Sequence, residues 1–68
     1  MTDSEGKALW HVVTRLQEAA AACRQDAAAC GDLGAANRSL QYQWNATATA
    51  YEYAAILLEN ALNRLARK

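Results

Sequence analysis

The chain contains no proline, only three glycines, two cysteines and a single histidine among 68 residues, and its seven basic and seven acidic side chains cancel. Each shortage excludes a class of answer. Cys23 and Cys30 are too few for a disulfide framework. They lie seven residues apart on what reads as one helix, roughly 10.5 Å at 1.5 Å per residue, beyond the roughly 7 Å over which bridged Cα atoms are found. With His11 alone and no CxxC motif, the four converging ligands of a closed zinc site are not there, so no metal and no cofactor is expected. The charge balance removes the positive field that non-specific nucleic-acid binding requires, and Lys7, Arg15, Arg24 and Arg38 are dispersed rather than gathered on a recognition helix. No apolar run approaches the roughly 20 residues of a membrane-spanning helix. The opening Met1-Thr2-Asp3-Ser4-Glu5-Gly6 is acidic and polar, unlike a secretory signal. A cytoplasmic protein with reduced thiols is the expectation.

The spacing that remains is helical. Gly6, Gly31 and Gly34 are the only glycines, and the strongest punctuation is Cys30-Gly31-Asp32-Leu33-Gly34. Gly31 suits the position just past a helix end, and Asp32 suits the cap of the next helix. Thr2-Asp3-Ser4-Glu5 has the spacing of a capping box, with Thr2 as cap and Glu5 reaching back. The reading is one domain, 1–68, with helix 1 at about 3–30, a turn at 31–34 and helix 2 at about 33–67.

Within helix 1, Leu9, Val13, Leu16, Ala20, Cys23, Ala27 and Cys30 recur at alternating steps of four and three, the a/d pattern of helices packed side by side. Helix 2 continues it through Leu33, Asn37, Leu40, Trp44, Thr47, Tyr51, Ala54, Leu58, Ala61 and Leu65. Asn37 at such a position reads as a register-fixing polar residue. Asp3 and Glu5 complement the positive end of the first helix dipole, and Arg64, Arg67 and Lys68 the negative end of the second. In an antiparallel pair these clusters become neighbours.

Two rods of roughly 40 to 50 Å touch along one seam only, and small domains bury too little surface to be stable without a supplement. Trp10, Val12, Ala36, Ala48, Ala50, Ala55, Leu57 and Leu62 widen the apolar stripe beyond what a two-helix contact needs. The expected fold is therefore all-α, an antiparallel two-helix hairpin that dimerises into a four-helix bundle. Its dimer core is expected at Leu9, Val13, Leu16, Leu40, Trp44, Tyr51, Leu58 and Leu65.

Enzymatic chemistry needs convergent polar groups in a concave site, and none assembles from this pattern. Glu18, Glu52 and Glu59 fall on outward positions, there is no Glu-x-x-His pair for a di-iron site and no glycine-rich phosphate loop. The chain is expected not to be an enzyme. What stands out is a second stripe on the back of helix 2, where Tyr42, Ala46, Thr49, Tyr53 and Ile56 follow steps of four, three, four and three. A helix apolar on two faces is deeply buried or reserves one face for a partner, and tyrosine is enriched at interface hot spots. Tyr42, Thr49, Tyr53 and Ile56 are the expected partner-binding residues, with the stripe's use as a dimer contact left open.

A short, neutral, proline-free helical chain with a spare aromatic stripe resembles, in size and two-helix outline, the small bacteriophage-encoded inhibitors of host regulators, of the quorum-sensing anti-activator type. That resemblance implies a compact helical dimer that occludes a transcription factor or another host protein. The expected function is thus a non-catalytic, dimeric protein-binding module that modulates a heterologous protein partner, with no nucleic-acid or membrane partner. The alternative is a structural or assembly component, or a helical chaperone, that builds bundles.

Overall fold

In the computed structural model, which describes residues 2–31 and 38–67, the chain is two long helices packed on each other. Helix α1 spans Asp3–Gly31 and helix α2 spans Arg38–Ala66. The expected cap Asp32, together with Leu33, Gly34, Ala36, Asn37 and Lys68, lies outside the described residues.

Alanine-rich sequence gives α1 its propensity, and its start is fixed by Thr2. The Thr2 hydroxyl accepts from the Glu5 backbone N–H at 3.1 Å and donates to Glu5 Oε1 at 3.1 Å, while the Gly6 N–H donates to the Thr2 carbonyl at 2.9 Å. Glu5 does reach back, as the capping-box spacing predicts, but to the cap's hydroxyl. The Glu5 N–H, otherwise orphaned in the first turn, is thereby satisfied, and the Gly6 bond is the first of the regular helical ladder.

The core has two parts. Val13, Ala55 and Leu62 form one buried cluster, with Leu9, Leu16 and Leu58 packed against it. Ala20, Cys23 and Ala48 form the other, with Trp44 against it. Ala27 is buried as well. On α1 these are the positions that the heptad pattern marks.

On α2 the register needs correction. The line facing α1 is Ala48, Ala55 and Leu62, three residues that the sequence reading placed only at the flank. Of the positions it placed in the seam, Trp44, Leu58 and Ala61 are half-buried, whereas Leu40, Thr47, Tyr51, Ala54 and Leu65 are exposed. The physical reason is backbone proximity. Alanine at 48 packs against Ala20 and Cys23, and alanine at 55 against Val13, with little side-chain bulk between the backbones, and a wider stripe of larger side chains is displaced to one side. The result is a slender body of 51 × 16 × 10 Å.

Candidate functional site

The sides of the seam follow from helix geometry. With 3.6 residues per turn, Asn45, Glu52 and Glu59 lie about 40–80° to one side of the 48/55/62 line, and Leu40, Tyr51, Leu58 and Leu65 about 40–80° to the other. On α1, Arg24 falls on the Glu52 side, while Val12, Leu16 and Cys23 fall on the Leu58 side. The helical pair thus has a polar edge and an apolar edge.

The polar edge is organised by Arg24. Its Nη2 and Nε bind Glu52 bidentately, with Nε 3.4 Å from Oε2, and the pair is a salt bridge. Nη1 donates to Asn45 Oδ1 at 3.4 Å and Nη2 to Thr49 Oγ1 at 3.5 Å. The Thr49 hydroxyl in turn donates to the Asn45 carbonyl at 3.1 Å, which leaves its lone pair for the guanidinium. One α1 side chain therefore clasps three consecutive turns of α2. The sequence reading missed this contact, treating Arg24 as one of several dispersed cations and Glu52 as outward-facing. The available signal was that both sit one step off the seam, where interhelical ion pairs of packed helices form.

The clasp makes acid sensitivity predictable. The hydrogen bond from Arg24 holds the Glu52 carboxyl below its ordinary value of 4.5, with attraction to the same cation adding to it and desolvation opposing it. Arg24 is raised by the same hydrogen bond and charge. A carboxylate with a depressed folded-state value contributes stability above about pH 4.5, its unfolded value, and loses it as pH falls through the lower folded value. Glu52→Gln is expected to lower the melting temperature slightly near neutrality, with the gap to wild type closing in acid and narrowing in high salt. Thermal melts across pH check it; a gap independent of both pH and salt would contradict the assignment.

The outer face of α2 carries the second stripe. Tyr42 is 76% exposed and Tyr53 62%, and Ile56 and Ala46 are exposed beside them. Tyr42, Asn45, Ala46 and Thr49 line a shallow depression of about 370 Å³. Of the four expected partner-binding residues, Tyr42, Tyr53 and Ile56 stand free on this face, and Thr49 is exposed but engaged by Arg24. Of the eight expected dimer-core residues, Val13 is buried, Leu9, Leu16, Trp44 and Leu58 are half-buried against the intrachain clusters, and Leu40, Tyr51 and Leu65 are exposed. At the far end an open cleft of about 620 Å³ is lined by Thr2, Asp3, Gly6, Lys7, Trp10, Leu65 and Ala66.

His11 accepts from Arg15 Nε at 3.5 Å on the outer side of α1. Cys23 is a buried free thiol and Cys30 a half-buried one. Among the described residues no three His, Cys, Asp or Glu side chains gather to hold a metal ion, and no helix is long and apolar enough to cross a membrane. Comparison with protein-family models, with curated proteins and with solved structures finds no match to the chain.

Proposed function

We propose that this chain is a non-catalytic protein-binding module of the cytoplasm, an antiparallel hairpin that pairs with a second copy as a four-helix bundle and inhibits another protein through the outer face of α2. The observation that carries the reading is the stripe itself: two tyrosines and an isoleucine exposed on one helix face, on a helix whose seam edge is also apolar. Large exposed aromatics at helical spacing are what helix-face recognition uses as anchors. The antiparallel orientation is supported by the order of contacts, since Val13 meets Ala55 and Leu62 while Ala20 and Cys23, further along α1, meet Ala48 and Trp44. A transcriptional regulator of a phage-infected host is the partner class that the resemblance in size and outline implies.

The test compares wild type with Tyr42→Ser/Tyr53→Ser in an affinity pulldown from host lysate, with the retained protein then purified and titrated. Each lost anchor is expected to weaken binding about tenfold or more, with helicity and mass unchanged. Unfolding or loss of self-association in the variant would assign the stripe to the fold or the dimer and end this reading. A second reading, an assembly component, is favoured by the presence of two separate apolar surfaces on α2. It is distinguished by a solution mass well above a dimer that the same tyrosine changes reduce.

A further inference from the structure

The two apolar surfaces of α2 are not equivalent. The outer stripe belongs to one helix. The apolar edge beside the seam runs across both, with Val12 and Leu16 from α1 and Leu40, Trp44, Tyr51, Leu58 and Leu65 from α2. On α2 no charged residue falls on this edge between Leu40 and Leu65, and on α1 the one charge at its margin is Asp26, two heptads past Val12. Opposite it, across the seam, lie Arg24, Asn45 and Glu52. We infer that a second copy of this chain seats on this apolar edge, leaving the Arg24 clasp and the Tyr42/Tyr53 stripe outside the contact. This inference rests on the dimeric reading above and assigns its surface.

Area leaves room for that occupant. Folded monomers of 7.4 kDa expose about 4,200 Å² by the general scaling with mass, whereas this chain exposes 5110 Å². The excess of about 900 Å² is close to the roughly 800 Å² that each partner contributes to a stable protein interface. Composition agrees, because the cores of homodimer contacts are depleted in charge and enriched in aromatics, and this edge supplies Trp44 and Tyr51. Self-complementarity follows as well. A two-fold contact sets a surface against itself, so an edge lined with charge of one sign would repel its copy, while an apolar edge does not. The outer stripe is narrower, and its neighbours on the polar side are tied into the clasp.

The experiment is sedimentation of three proteins across a dilution series. Leu40→Asp/Leu65→Asp, two exposed positions whose loss spares the buried clusters, is expected to weaken self-association about a hundredfold or more. Tyr42→Ser/Tyr53→Ser is expected to keep the wild-type mass. Because the aspartate variant risks unfolding, a second readout uses Trp10→Phe, which leaves Trp44 as the sole tryptophan. Its quenching by acrylamide is expected to fall over the same concentration range in which the mass doubles. Quenching that stays constant while the mass doubles, or dimers lost only in the tyrosine variant, would overturn the face assigned here and leave the dimer standing. A single-chain mass at every concentration would overturn the dimeric reading with it.

Discussion

Leu62→Ala is expected to cost about 2–5 kcal/mol, enough to remove much of the roughly 3–10 kcal/mol that a chain of this length possesses. Leu62 is 1% exposed and is the one large side chain that is completely enclosed among the described residues. It closes the cluster with Val13 and Ala55, against which Leu9, Leu16 and Leu58 pack, so its truncation leaves a cavity lined by these side chains. Leu65, one turn on and 49% exposed, provides the control. Its truncation is expected to cost about 1 kcal/mol or less when unfolding is followed at low protein concentration. Urea titrations of the two variants check the ranking; equal midpoints would show that the seam is not where the buried clusters put it.

Ala48→Leu is expected to be as damaging in the opposite sense. Ala48 is fully enclosed between Ala20 and Cys23, so added methylenes have no void to fill and must push the helices apart. Overpacking of this kind costs about 1–3 kcal/mol, a fall of about 4 °C or more in melting temperature for a chain this small. Separation also lengthens the already long bonds from Arg24 to Asn45 and Thr49, so the acid sensitivity assigned to Glu52 is expected to weaken in the same variant. Ala50→Leu, on an exposed position of the same helix, is expected to change stability by no more than about 0.5 kcal/mol. Melting curves of the pair check it, and equal shifts would contradict the close approach at Ala48.

The helices themselves were legible. Absence of proline, abundant alanine, the Thr2/Glu5 cap and the alternating spacing of Leu9, Val13, Leu16 and Ala20 locate α1 and its buried line without ambiguity. On α2 the same rule selected the wrong companion line, for a reason rooted in size. Pattern reading weights large apolar residues, and Leu40, Tyr51 and Leu65 outrank Ala48 and Ala55 on that scale. When two helices pack through alanine, the smallest residues mark the contact and the largest stand beside it. A stripe wider than one contact needs was visible in the sequence; which part of it α1 occupies depended on complementarity between helices, which periodicity within one helix does not encode. Arg24 and Glu52 illustrate the same limit. They lie 28 positions apart, and only the register between helices shows that they meet.

The taper of the seam has a consequence for alignment along the long axis. Alanine and cysteine line it at 20, 23, 27 and 48, while valine and leucine line it at 13 and 62. Sliding α2 by one heptad in one direction would bring Leu62 to the space now filled by Ala55; sliding it the other way would set Ala55 where Leu62 closes the cluster and open a hole. Both displacements preserve the apolar-to-apolar match that a uniform seam would accept, yet one overfills and the other empties the joint, each at a cost of a few kcal/mol. The gradient in side-chain volume works as a vernier, admitting a single longitudinal offset between two otherwise repetitive rods.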